Sequence, residues 1–575
     1  MKINNIFTAL AAAVLLTFSS CYDMDRYPED KLSSGTFFKT QDHADQAMMG
    51  VYNQLKTDHT FGIQFALDCL GGVGTGFDNY SYFNFMKGTY DVANSWVLNK
   101  WKNLYEGVTR ANIVLQNIDN VDMSDQLKAQ YKGEAKFLRA LFYNSLMSFF
   151  GGVPIYDENF IVAADFNNML NPRESADAVR SLILSDLDEA INTLPKSWDS
   201  PNYGRATSGA AQALKGKVLL FNKQYSEAAK CFEAVKNSGQ YALYDDYAGL
   251  FLPGGDESNE MIFAIQNLGG VGFNYGMPMC FYMGTRASFG SCWNNAMVST
   301  YFVDSYEWKD GRPFDWEEVV PGFTTNNDIK NSTFGSVITG GTKVTRYTDK
   351  KETLLEMYAN RDPRMNATVI LPYTWYGGWY KNAPHDCEYV VPFISSDMKH
   401  PVDGNHMIRV QGNYYYYPWR KFVPEYDMDG AITNRSHTPI NFPLIRYADV
   451  LLMLAECYNE MGDQEGAVRL INEVRARPSV NMPGLNSGPA WLKATTKEEV
   501  FERIRHERAV EFAGEGLSFD DMRRWGLLET LNGRKEVYVN GTVHFTRSTS
   551  SRDYLWPIPS DEIFQNPSLT QNPGW

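Results

Sequence analysis

Two stretches of the chain combine flat aromatic side chains with short polar ones. Phe77–Phe83 offers Phe77, Asp78, Asn79, Tyr80, Tyr82 and Phe83. Phe273–Trp293 offers Asn274, Tyr275, Tyr282, Arg286 and Trp293, with Asn294 directly after. A disk-shaped ligand with apolar C–H faces and hydroxyl edges, such as a pyranose ring, needs this mixture. Aromatic rings stack on the faces, and carboxylate, amide and guanidinium groups meet hydroxyls that would otherwise be buried unpaired. Trp375 and Trp379, in YTWYGGWY, form a third candidate of the same type. The run YYYYPW at Tyr414–Trp419 reads as a strand with alternating faces or as a contact surface for another protein. The plain alternative for every one of these rings is that it pins a long loop to the body of the fold.

Catalytic and metal motifs are not found. The sequence has no Gly-x-Ser-x-Gly elbow, no phosphate-cradling loop and no His-Glu-x-x-His. His506-Glu507 lacks the second histidine and lies in a charged helical segment. The glycines at Gly71–Gly76 lack the strand–turn–helix setting of a dinucleotide site. Asp427-x-Asp429-Gly430 begins like a calcium loop, but the next ligand spacing fails, so it reads as a solvated turn. No metal, cofactor or catalytic residue is assigned. A two-carboxylate glycosidase stays open as an alternative among 68 acidic residues.

The elements that must position these loops are helical. Ala206–Gly239 holds two apolar-periodic segments around a turn near Asn222–Gln224. The first carries Ala213, Leu214, Val218 and Phe221; the second carries Tyr225, Ala228, Ala229, Phe232 and Val235. Gly216 and the Ala228-x-x-x-Phe232 spacing suit the close approach of a tetratricopeptide-like hairpin. Leu444–Arg477 repeats the pattern, with Ala467 and Ile471 in the places of Ala228 and Phe232. Such hairpins bury their apolar faces only by stacking, so the two are expected in one stack despite the insertion between them. Further helices are predicted over Ser34–Lys56 (starting at Asp42), Trp96–Ile118, Ser124–Phe150, Ala176–Leu194 and Thr496–Glu515, the last with a Thr496/Glu499 capping box. Glu260–Gln266 reads as a strand. Thr60–Tyr90 and Gly269–His437 are loop-rich, with short helical pieces such as Asn295–Asp304 and Lys351–Met357. The paired charges of RIRHERAVEF read as helix-surface or helix-packing ion pairs.

A net charge of −15 argues against nucleic acid as a partner. At the N-terminus Lys2 precedes the apolar run Ile6–Phe18, then Ser19, Ser20 and Cys21. Residues 1–20 read as an export signal, and Cys21 as a lipidated anchor to a membrane. The other cysteines form no Cys-x-x-Cys pair; Cys280 and Cys292 could bridge a loop.

Taken together, these stretches resemble the SusD/RagB family of outer-membrane lipoproteins of Bacteroidetes-type bacteria. The resemblance runs through Cys21 and the acidic tether Asp23, Asp25, Glu29 and Asp30, then WKNLYEGVTRANIVLQNI (Trp101–Ile118) and FLRALFYNSLMSFFGGVPIY (Phe137–Tyr156). It continues through the Ala206–Gly239 hairpin, NEMIFAIQN, PLIRYADVLLMLAECYNE, RHERAVEFAGEGLSFDDMRRWG (Arg505–Gly526), LWPIP and NPGW, in the family's order over essentially the whole chain. It implies a mainly α, SusD-like fold of tetratricopeptide-like helical hairpins with a large loop-rich insertion and a few short strands. One domain would span 21–575, with a helical scaffold over about 34–239 and 440–526 and a ligand-binding part over about 269–437. It also implies a glycan site built by loops, no catalysis, and a surface-exposed lipoprotein at the cell outer membrane. The partner would be a SusC-like TonB-dependent transporter, over which the protein acts as a lid. A minority of the family bind peptides.

Overall fold

The computed structural model describes residues 37–161, 170–270 and 275–575. The expected leader over residues 1–20, Cys21 and Asn274 lie outside the described residues.

The chain is mainly helical. In the first half come α1 (Gln41–Asn53), α2 (Ser95–Asn117), α3 (Asp125–Phe150), α4 (Ala176–Thr193), α5 (Ser208–Phe221) and α6 (Tyr225–Asn237). In the last third come α7 (Tyr447–Met461), α8 (Gln464–Arg475) and α9 (Lys497–Phe512). From α2 onward to α8 each helix packs on the next, and α9 closes on both α7 and α8. The starts follow from capping chemistry. Ser124, Ser175 and Thr207 accept backbone N–H groups of the first turn, and Thr496 and Glu499 form the expected reciprocal box. The first helix begins at Gln41 rather than at Asp42, with Thr40 at its N-cap position making no side-chain cap.

The stack is continuous across the insertion, as the matching hairpins predict. α6 packs directly on α7. Lys236 Nζ lies 2.9 Å from Glu473 Oε2, and Tyr458 Oη donates to Glu233 at 2.7 Å. Small residues set the spacing. A Cβ on Gly216 would lie 2.6 Å from the Phe232 ring, and one on Gly107 2.7 Å from the Phe142 ring. Both rings are fully buried, so a larger residue at either glycine would force the helices apart.

Short paired strands tie the loops together, and six of them bear on the site and the base of the insertion. They are β1 (Gly74–Gly76), β2 (Met261–Ile265), β3 (Ala296–Val298), β4 (Trp375–Tyr380), β5 (Ala383–Glu388) and β6 (Phe442–Arg446). β2 pairs antiparallel with β6, so the chain enters and leaves the insertion side by side. β4 and β5 form a hairpin in which Trp375 faces Glu388 and Trp379 faces Pro384. Two expectations are corrected. Asn295–Asp304 is not one helix: β3 comes first and a short helix, Thr300–Ser305, follows. Thr60–Tyr90 is not irregular throughout: tight turns at Asp58–Gly62, Gln64–Leu67 and Asp68–Gly71 precede β1. These turns are fixed by buried Asp68, whose carboxylate accepts from the Gly514 amide at 2.7 Å and the Ser518 hydroxyl at 2.7 Å. Without that anchor an aromatic-rich loop has no periodic pattern from which its turns could be read.

The charges of RIRHERAVEF point into the core. Glu507 and Glu511 are buried, and with Arg364, Arg446, Arg475 and Arg477 they form an ion-pair bed beneath α9, while buried Arg508 pairs instead with Asp449 and Asp521. Among the described residues, no helix is long and apolar enough to cross a membrane.

Candidate functional site

β1 and β3 are the devices that bring the two aromatic loops together. They pair antiparallel, with Gly74 opposite Val298 and Gly76 opposite Ala296. The first loop leaves β1 just where the second loop arrives at β3. Gly76 permits this: a Cβ there would lie 2.0 Å from Ser81 Cβ and 2.4 Å from the Asn295 carbonyl oxygen. After Gly76 the chain makes a tight turn over Asn79–Ser81, in which Asp78 and Ser81 cap each other's backbone. That turn puts Asn79 and Tyr80 on its outer tip, both exposed.

Tyr82 is placed differently from the expectation. Its φ of 54° is left-handed, which turns the ring inward. It is 4% exposed and packs edge-on against Phe85 and Trp96, with Trp556 beyond. Burial raises its phenol pKa. Tyr82 is therefore a core residue that supports the loop from below.

The remaining rings form a ribbon. Tyr80 stacks on Tyr282 with centroids 4.3 Å apart and planes 19° apart. Tyr282 meets Phe281 at 4.9 Å, and Phe281 meets Trp293 at 5.2 Å. At the other end Trp96, on the first turn of α2, braces Tyr80 edge-on at 5.4 Å. Trp96 is itself braced by His59 at 4.6 Å, which burial and the nearby Lys100 ammonium hold at a pKa of about 4, hence neutral. Tyr80 is 37% exposed and Trp293 38%, so the two outer rings present one face to solvent and one to the protein. Tyr282 is largely covered; burial, followed by its hydrogen bond with Tyr80, raises its pKa.

Polar groups line the ribbon. Asn295 Nδ2 donates to Asp78 Oδ2 across the two loops. Asp78 Oδ1 and Asn295 Oδ1 have no protein partner although both are buried. Burial raises the Asp78 pKa, with the bond from Asn295 and two backbone amides opposing. Arg286 is held by Gln411, whose Oε1 accepts from its Nε at 2.8 Å, while the Gln411 amide donates to Asn294 Oδ1 at 2.8 Å. Its guanidinium carbon lies 6.0 Å from the centre of the Trp293 ring. Burial lowers the Arg286 pKa, but an arginine stays charged. The site thus offers a curved aromatic surface bordered by a carboxylate, amides and a fixed cation.

The other expected residues lie further out. Tyr275 is 55% exposed, with Lys56 Nζ 5.3 Å from its ring centre. Trp379 reaches the second loop: its amide donates to the Ala287 carbonyl at 2.8 Å and its ring meets Phe289 at 5.7 Å. Together with Arg286, His385, Asp403 and Arg409 it lines a small cleft beside the ribbon. Trp375 sits at the far end of β4, exposed, and does not join that cleft. In the YYYYPW run only Tyr414 is half-exposed, stacked on Phe77 at 4.5 Å; Tyr415–Trp419 are buried. Trp96, Phe281, Asn295 and Gln411 were not anticipated as site residues. Asn295 reads in the sequence as the start of a helix, and only the strand that follows it in the structure turns it toward Asp78.

Comparison with known proteins agrees with this architecture. A family model described as the SusD family matches residues 259–575, and one described as starch-binding and associating with the outer membrane matches residues 24–220. A SusD-like protein of Formosa agariphila is 25% identical, covering 100% of this chain and 98% of its own. The starch-binding protein SusD of Bacteroides thetaiotaomicron is 24% identical, over 81% of this chain and 76% of its own. Among solved structures, a SusD-like protein of Bacteroides fragilis superposes with a TM-score of 0.75 at 25% identity, covering 96% of this chain and 100% of that one. A laminarin-binding SusD-like protein superposes with a TM-score of 0.60 at 22% identity, covering 94% and 100%. Two of these relatives are named as binding proteins, for starch and for laminarin, and none of the four is named as an enzyme.

Proposed function

This chain belongs to the SusD family, and from that premise we propose that it binds oligosaccharides at the cell surface and passes them, uncleaved, to a SusC-like TonB-dependent transporter. The observation that carries the reading is the ribbon Tyr80–Tyr282–Phe281–Trp293 with Asp78, Asn79, Asn295 and Arg286 along its borders. Each solvent-facing ring can take the C–H face of one sugar. Asp78 and Asn295, whose free oxygens are buried, hold the two loops against each other beneath the rings. Arg286 and Asn79 can meet the outward hydroxyls. Trp379, and more distantly Tyr275 and Trp375, extend the surface for a longer chain. The starch- and laminarin-binding names of the relatives support a glucan or similar oligosaccharide. Residues 1–20 act as the lipoprotein signal, and the lipid on Cys21 holds the protein at the outer membrane.

The test is an affinity-gel and glycan-array screen with the mature chain starting just after Cys21. Retardation by at least one glycan, with no product released from it, is the expected outcome. Release of shorter products would instead make the protein a glycoside hydrolase. Silence on every glycan, with protein partners co-purifying, would make it a peptide- or protein-binding lid.

A further inference from the structure

We propose that Cys280 and Cys292 form a disulfide that clamps the second aromatic loop. The inference rests on the export reading above and, beyond that, on the packing of the loop itself. The two sulfurs are 3.4 Å apart, and both side chains are fully buried. They share one acceptor, the Phe289 carbonyl oxygen, at 3.8 and 3.1 Å. Both sit in an apolar cluster of their own with Ile432, Phe289 and Met428, separate from the main core. Cys280 lies on the short helix Met279–Met283 within the loop, and Cys292 immediately precedes Trp293. Arg286 lies between them, so a bond here closes the ring of chain that carries the guanidinium and fixes the backbone from which Trp293 projects. The other described cysteines, Cys69, Cys231, Cys387 and Cys457, are buried as free thiols.

Bond formation requires the sulfurs to close from 3.4 Å to a bonding distance of about 2.05 Å. The reaction needs an oxidant, and an extracytoplasmic thiol–disulfide exchange partner supplies one. One cysteine, as thiolate, attacks the partner's disulfide and releases one partner thiol. The second cysteine thiolate then attacks the mixed disulfide and releases the other. Two S–H bonds break, one S–S bond forms, and two electrons and two protons end on the partner. Burial raises the Cys292 pKa, and hydrogen bonding and charge from Cys280 add to it. The exchange therefore belongs to the folding chain, before this cluster closes, and the folded loop then shields the bond from reductant.

The test is made on the full chain exported to a bacterial periplasm. The protein is denatured without reductant in an excess of alkylating agent, digested, and its cysteine peptides weighed. The expected result is a linked Cys280–Cys292 species lighter by two hydrogens, while Cys69, Cys231, Cys387 and Cys457 carry the alkyl group in full. In Cys280→Ser the Cys292 peptide becomes alkylated, even if that variant folds poorly, because the assay is run on denatured chain. Full alkylation of both cysteines in the unsubstituted chain overturns the proposal. Glycan affinity is measured on the same preparation. A linked pair without glycan binding refutes the function and keeps the disulfide, and the reverse outcome does the opposite.

Discussion

The ion-pair bed beneath α9 and the aromatic ribbon are both built from side chains that need partners, yet they find them in opposite ways. In the bed, Arg446 reaches Glu260 at 2.7 Å, Glu511 at 2.8 Å and Glu515 at 2.8 Å. Arg477 reaches the same Glu260 and Glu511 at 2.7 and 2.8 Å, and Arg364 reaches Glu511 at 3.0 Å and Glu507 at 2.5 Å. Every one of these groups is buried, so each charge is balanced inside the chain. In the ribbon the outer rings Tyr80 and Trp293 are part exposed while Tyr282 between them is covered, and two buried oxygens beside them have no protein partner. A region whose buried charges pair with one another holds the fold, even though Arg477 Nε there has no hydrogen-bond partner. A region that leaves interactions open is suited to a ligand.

The largest effect should come from the bed. Glu511→Ala leaves three buried arginines short of charge and is expected to cost about 3–5 kcal/mol, read as a lower denaturant midpoint. An unchanged midpoint would mean that the bed is decoration rather than support. The bed also sets an acid limit. Burial pushes the Glu511 carboxyl up, but Arg477, Arg446 and Arg364 outweigh it and hold the pKa well below the usual range. Its contribution is fully present above the unfolded glutamate value of about 4.3 and is lost as pH falls through the depressed folded value. Melting temperature should therefore begin to fall below about pH 4.3, and Glu511→Gln should flatten that limb.

Next come two tyrosines in one turn. Tyr82→Ala empties a core position and should destabilise by about 3–5 kcal/mol. Tyr80→Ala, two residues earlier, removes a half-exposed ring and should leave the melt within about 2 °C while weakening glycan binding. Trp293→Ala should do the same. Losing one stacked face is worth about 1.4 kcal/mol or more, a tenfold or larger rise in Kd. If Tyr82→Ala and Tyr80→Ala behave alike, the division between support and platform fails.

That division marks the limit of what the residues disclose. Hairpin periodicity at Ala213–Phe221 and Ala467–Ile471 was legible because helix packing repeats at a fixed spacing, so the split stack followed. The capping box at Thr496 was legible because it is local chemistry. The two aromatic loops read alike as ring-and-polar stretches, but nothing local in either shows that they meet. The cause of their meeting, β1 pairing with β3 through Gly76, is three residues long and has no period. Tyr80 and Tyr82 are the same residue type in the same motif, and one positive φ sends them to opposite sides. Trp96 belongs to a helix whose apolar face reads as core, and only its place on the first turn brings it beneath Tyr80.

Asp78 offers the smallest and sharpest test, because here stability and binding should move in opposite directions. Its pKa is raised by burial, so the folded state disfavours the charge. A carboxyl with a raised folded pKa weakens the fold as pH rises through that range. Asp78→Asn removes the charge, keeps the size and should leave the free protein equally stable or slightly more so. The same change replaces a carboxylate acceptor with a weaker amide beside the ribbon, and Kd should rise by about threefold to tenfold. Affinity of the unsubstituted protein should also fall in acid as Asp78 takes up its proton, and the asparagine variant should lose that dependence. A variant that is both less stable and equally tight would return Asp78 to the class of Glu511, a charge kept for the fold alone.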